Sequence, residues 1–184
     1  MVVVKVLPLL VILVISAACR REEEITRVRV PKDDAPRVGA PAASAAERGL
    51  SWTTPKGWTE AGASGMRKAT LTPPAKWGKA EATVVAFPGD AGGELANVNR
   101  WRQQIGLSAV EEKDLAILRD RVAAPAGPVS LYRFSSRDDK TRVVAGAVFS
   151  GGMTWFFKLT GETAAVVKAE PAFARLLESL RASR

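Results

Sequence analysis

Residues 87–104 read FPGDAGGELANVNRWRQQ and gather more groups able to do chemistry than any other stretch of the chain. Two carboxylates, Asp90 and Glu94, flank a glycine turn there, and Asp138 with Asp139 forms the other conspicuous acidic pair. Paired carboxylates can hydrolyse a glycoside, one protonating the leaving oxygen while the other serves as nucleophile or base. Asp138 and Asp139, however, sit inside RDDK, which reads as a hairpin tip, and sequence neighbours on a strand point apart. A glycine corner before a helix also raises the question of a phosphate cradle, which needs backbone N–H groups, a lysine and a metal-binding hydroxyl. GDAGGELAN has neither lysine nor serine at the required place, and Asp90 and Glu94 put negative charge where the phosphate would sit. Its G-x-x-G-G spacing fails the dinucleotide fingerprint as well. The corner reads instead as a left-handed turn, with Glu94 complementing the positive end of the helix that follows.

That helix has two faces. At about 100° per residue, Leu95, Val98, Trp101 and Ile105 share one arc, and Asn97, Arg100 and Gln104 form a stripe opposite. Arg102 falls within the apolar arc. Either its stem packs and its head reaches a rim, or it is buried against a carboxylate, with Asp90 and Glu94 as the nearby partners. Were it to point into a cleft with Arg67, the two guanidiniums would suit a carboxylate or a phosphate.

The chain contains no histidine, which removes the usual general base near neutral pH and the commonest transition-metal ligand. Its single cysteine, Cys19, can make neither an intramolecular disulfide nor a CxxC pair. No metal and no cofactor is expected. The formal charge of +8 and the pI near 10.1 favour encounter with anionic partners without specifying one.

The elements that must position these groups follow from pattern. With 184 residues, 47% hydrophobic, there is material for one folded domain, expected over residues 49–184. Residues 1–18, MVVVKVLPLLVILVISAA, carry one lysine, an apolar run and small residues before Cys19, the layout of a secretory signal. The apolar run is shorter than the roughly 20 residues a membrane span prefers. Residues 19–48 mix charges of both signs with Pro, Ala and Gly, and read as a disordered tether. Strands are expected around LSWTTPKGW, at 66–71, 81–87, 116–123, 129–135, 142–149 and 153–159. RVVAGAVF is apolar on both alternating faces and should be central. A short helix over 162–168 and a second opening at Pro171, with Phe173, Leu176, Leu177 and Leu180 on one face, close the chain. The sum is an α+β layout: an antiparallel sheet of about six strands covered by helices.

Ser16-Ala17-Ala18-Cys19 resembles the lipobox of bacterial lipoproteins, in which the thiol is the acylated atom, although Ser16 stands where leucine is commonest. Arg20 stands where an aspartate would retain the protein at the inner membrane, so the resemblance implies the outer membrane, facing the periplasm. W-x-x-P-x-G-W at 52–58, MRKATL, FPGDAGG, NVNRWRQQIGL at 97–107 and WFFKLTG together resemble a family of uncharacterised bacterial secreted lipoproteins. More remotely, the strand order and the opening tryptophans resemble the fold of PsbP proteins and of a Ran-binding nuclear import factor. Scaffolds do not carry activity, so no binding residue transfers.

The expected role is a membrane-tethered, non-catalytic binding or accessory module acting on an envelope protein or an anionic glycan. The alternative is a carboxylate-dependent envelope hydrolase acting on a glycan. Nucleic acid is not an expected partner, since charge alone supports it and the export signal opposes it. Cys19 is the expected lipidation site, and Trp58, Trp77, Arg67, Asn97 and Arg100 are the candidate binding residues, whose convergence on one concavity is the test. Trp58 and Trp77 lie near turns and either pack or line a groove; Trp101 and Trp155 are expected in the core.

Overall fold

A computed structural model describes residues 49–183. The signal segment, Cys19 and the tether through residue 48 lie outside the described residues. The two strongest strand patterns form the centre of the fold. β7 (Thr141–Ser150) and β8 (Met153–Glu162) pair along their whole length. They are joined by Gly151 and Gly152 at φ 62° and 77°, the doubly left-handed turn that matches strand twist. β8 pairs on its other side with β4 (Ala80–Pro88), so Phe157 lies between Val84 and Gly146, and Phe156 between Val85 and Ala147. The antiparallel sheet has seven strands in the order β2-β3-β4-β8-β7-β6-β5. β3 (Arg67–Thr72), β6 (Val129–Ser135) and β7 occupy the segments that the alternation marks, and β7 is interior as expected. The edges are short, β2 (Thr59–Ala61) and β5 (Asp120–Val122).

LSWTTPKGW does not supply an edge of this sheet. Its first residues, β1 (Leu50–Ser51), pair with β9 (Arg181–Ala182) in a separate two-stranded ribbon. The Pro-Lys-Gly corner does turn, with the Trp58 N–H donating to the Pro55 carbonyl at 3.1 Å.

α3 (Thr163–Glu178) covers one face. Ala165, Val166, Ala169, Ala172, Phe173, Leu176 and Leu177 make an unbroken buried stripe along it, packed on Leu71, Val84, Val144, Phe157 and Leu159. Two helices were expected here with Pro171 opening the second; the structure has one, with Pro171 in its interior. Pro171 faces solvent, so the carbonyl left without its N–H partner, that of the exposed Val167, can turn to water. The buried stripe runs straight past it. Glu170 adds a polar staple from this helix, accepting from Arg133 on β6 and from Arg142 on β7, the latter at 3.3 Å.

The opposite face carries α1 (Glu94–Gln104) and α2 (Glu112–Leu118). Residues 116–123 were expected as one strand, but the first three belong to α2 and only Asp120–Val122 is extended. A capping box decides this: the Glu111 side chain takes the Asp114 N–H, and the Glu111 N–H donates to Asp114 Oδ2 at 2.9 Å. Leu115 then buries beneath the helix beside Val98, Trp101, Tyr132 and Phe134. Among the described residues no helix is long and apolar enough to cross a membrane.

Candidate functional site

The glycine corner aims α1 across the sheet. Gly89, Ala91, Gly92 and Gly93 all have positive φ, from 52° at Ala91 to 84° at Gly92, a path that β-carbons resist. Two amides of this turn are already spent. Gly92 N–H donates to Asp90 Oδ1 at 3.2 Å and Gly93 N–H to the Asp90 carbonyl at 3.1 Å. An anion nest would need those N–H groups free. The turn is closed further by Thr154 on β8, whose hydroxyl donates to the Gly89 carbonyl at 2.6 Å.

Glu94, first residue of α1, folds toward β6. Tyr132 donates its hydroxyl to Glu94 Oε1, and Arg119 donates to Glu94 Oε2 at 2.7 Å. This links α1, the end of α2 and the sheet through one carboxylate. Burial, the hydrogen bond to Glu94 and the negative charge of Glu94 together push the Tyr132 phenol well above its ordinary pKa of 10.0, partly opposed by Arg119. The phenol is therefore a neutral donor throughout the physiological range.

A cavity of about 360 Å3 lies between the first turns of α1 and residues of β6, β7 and β8. Trp101, Tyr132, Phe156, Ala147 and Phe149 supply its walls. Trp101 is the hub, meeting Phe156 edge-on at 5.6 Å and Tyr132 at a tilted 6.1 Å. Phe149 at the rim is 62% exposed, unusual for so large an apolar group. Asp90, Glu94, Asn97 and Ser130 are among the polar lining groups. A mostly apolar hollow with a few convergent polar atoms is the general form of a ligand site, and the volume falls within the usual range.

Of the five residues expected to converge, only Asn97 lines this cavity. It is buried and not part of a solvent stripe. Its amide donates to the Ala91 and Gly93 carbonyls at 3.0 and 2.6 Å, and its oxygen accepts from Arg100 at 3.0 Å. Asn97 thus pins the corner to the helix, which explains a polar residue on the inner side. Arg100 borders a groove with Ala96, Asn99 and Gln103 and a second hollow with Phe87, Pro88 and Ala91. Arg67 lies across the sheet on β3, paired with Glu81 at 3.1 Å. Its charge, after burial, helps to pull down the pKa of Lys158, whose ammonium donates to Gln104 at 2.8 Å. Trp58 is 7% exposed in the core beneath α3, so it packs and does not line a groove. Trp77 is half-buried and borders a separate hollow beside α3 with Thr53, Lys56 and Arg175. Arg102 resolves in favour of the rim: its Nε donates to the Ser108 carbonyl at 2.8 Å and its guanidinium lies 5.4 Å from the Phe134 ring centre. Neither Asp90 nor Glu94 pairs with it, and it shares no cleft with Arg67.

The sequence pattern missed Tyr132, Phe149, Ala147 and Arg119. Tyr132, the only tyrosine, on a strand with alternating apolar residues, was the one available signal, since a buried phenol needs a partner.

Among the described residues no group of histidine, cysteine or carboxylate side chains is arranged to hold a metal ion. No protein-family model matches the chain, and no curated protein sequence matches it. Among solved structures it is similar to a Bacteroides thetaiotaomicron protein at 13% identity and TM-score 0.45, covering 76% of this chain and 46% of that one. The chain thus spans less than half of that protein's length. It is also similar to the cyanobacterial PsbP of Synechocystis, at 12% identity and TM-score 0.42, covering 79% of this chain and 98% of that one. A third similar structure is LpqN of Mycobacterium tuberculosis, described as involved in cell envelope biogenesis, at 12% identity and TM-score 0.44, covering 73% of this chain and 83% of that one. PsbP is the remote resemblance expected from the strand order and the opening tryptophans, and likenesses this distant carry neither a residue nor an activity across.

Proposed function

We propose that the folded part is a non-catalytic binding or accessory module that takes an apolar group of an envelope component into the cavity under α1. Acylation of Cys19 holds it at the membrane, on the outer-membrane side of the periplasm if Arg20 is read as the lipoprotein pattern implies. The supporting observation is the cavity itself, walled by Trp101, Tyr132, Phe156 and the exposed Phe149. An anchor with two or more acyl chains suffices for stable attachment, and the tether reaches on the order of 100 Å at full stretch, so the module can search a wide shell around its anchor.

A neutral probe, 2-phenylethanol, should bind the full-length protein saturably, and Ala147→Phe, which puts a phenyl ring into the cavity wall, should weaken this by about tenfold or more. Unsaturable binding, or binding indifferent to Ala147→Phe, sinks the cavity as the site. For the anchor, Cys19→Ser should abolish metabolic labelling by palmitate; persistent labelling refutes acylation there.

One observation favours the hydrolase reading: Asp90 and Glu94 both line the cavity. Glu94, however, accepts from Arg119 with one oxygen and from Tyr132 with the other, which suits a structural clamp between α1 and the sheet better than a mobile acid or base. Release of reducing ends from purified envelope glycan by the wild type, lost in Asp90→Asn, would decide for hydrolysis.

A further inference from the structure

We infer that the cavity under α1 selects an organic ammonium, an apolar body carrying a positively charged amine. This rests on the binding reading given above and adds the chemistry of the ligand. Three observations carry it. The first is the sign of the lining. In a chain of net charge +8, the ionisable groups that could take up a ligand's charge here are Asp90 and Glu94, and no lysine or arginine lines the cavity. Arg119 pairs with Glu94, and Arg100, bonded to Asn97, is not among the lining residues. Asp90 is left with no ion pair among the described residues.

The second observation is the hydrogen-bond balance. Several donors facing this space are committed: Asn97 to two carbonyls, Thr154 to Gly89, Tyr132 to Glu94, and the Gly92 and Gly93 amides to Asp90. Among the lining groups, the second carboxylate oxygen of Asp90, the Ser130 hydroxyl and the Trp101 indole N–H carry no partner among the described residues. A carboxylate or phosphate would find Ser130 and Trp101 but be repelled by the Asp90 charge, whereas an ammonium is attracted by it. The positive end of α1, which would otherwise attract an anion, is already answered by Glu94.

The third is the wall. Trp101, Tyr132, Phe156 and Phe149 present π-systems around the hollow, and rings arranged about a cavity attract a desolvated cation through their quadrupoles. Apolar walls alone would suit any hydrophobic group. Aromatic walls with an unpaired carboxylate at the mouth favour the cation.

The test is calorimetric titration of the full-length protein with three ligands of matched shape: 2-phenylethylammonium, 2-phenylethanol and 3-phenylpropionate. The ammonium should bind roughly tenfold more tightly than the alcohol, and the carboxylate more weakly than either. Asp90→Asn should reduce ammonium affinity roughly threefold to fivefold and alcohol affinity by less than twofold. If the alcohol equals the ammonium, or the carboxylate binds best, the charge selection is wrong while the cavity stands as a site. If none of the three binds, or if Ala147→Phe leaves all three unaffected, the cavity reading falls and this inference with it.

Discussion

The two faces of the sheet are covered by different means. On one, a 16-residue helix with an unbroken stripe of alanine, valine, leucine and phenylalanine seals the strands, and Glu170 fixes it by ion pairs to β6 and β7. On the other, an 11-residue helix arrives from a glycine corner. It is held by a carboxylate, an asparagine and one tryptophan, and leaves a hollow beside it. The lesson is that the two helices cover the sheet differently: α3 buries a continuous stripe on the core, and α1 frames a cavity walled by aromatic rings.

Substitutions can break that contrast, beginning where the effect should be greatest. Phe173→Ala, in the middle of the α3 stripe, should cost about 4 kcal/mol by chemical denaturation and leave little folded protein. Glu170→Ala should cost about 2 kcal/mol, because it leaves the largely buried Arg142 without a carboxylate and Arg133 with Asp120 alone. Neither should alter ligand selectivity in whatever remains folded.

On the α1 face the expected losses are smaller. Tyr132→Phe removes the donor to Glu94 and should cost about 1 kcal/mol near neutral pH. Here pH sharpens the comparison. The folded phenol's pKa is raised, so the unfolded chain ionises first above its ordinary value of 10.0, and wild-type stability falls as pH rises beyond that point. The decline from this group is about 1.4 kcal/mol per pH unit and is absent in Tyr132→Phe. The stability gap between the two proteins, measured by urea titration at about pH 8 and about pH 11, should therefore narrow; a constant gap would mean that the phenol is not held neutral. Phe149→Ser should change stability by less than about 0.5 kcal/mol, yet weaken 2-phenylethanol binding measurably. A large stability loss there would make Phe149 a core residue and blur the contrast between the faces.

How much of this was legible beforehand depends on whether the signal is local. β7 as a doubly apolar strand, β8 as its hairpin partner and the glycine corner before α1 all follow from period and turn chemistry within a few residues. The errors share another cause. Pro171 reads as a helix start because proline is rare inside helices, but its cost depends on which side faces water, and only packing decides that. Glu111 and Asp114 form a capping box with carboxylates in both places, outside the usual Ser/Thr-x-x-Glu pattern, so residues 116–118 at the end of α2 read as the start of a strand. Asn97 falls on the polar side of the helical projection, yet the corner's carbonyls lie on that side and bury it.

By itself the sequence determined the class of fold, the absence of histidine chemistry and the dismissal of a phosphate cradle, because these rest on composition, on spacing and on charges that no folding can remove. The tertiary structure alone decided where the space is. A cavity is built from side chains far apart in the chain, Glu94, Tyr132, Phe149 and Phe156, whose meeting is set by sheet register and by the angle at which α1 crosses it. No local pattern encodes that angle; it is the joint result of the left-handed turn at Gly92 and Gly93 and of the Glu94 contact to Tyr132.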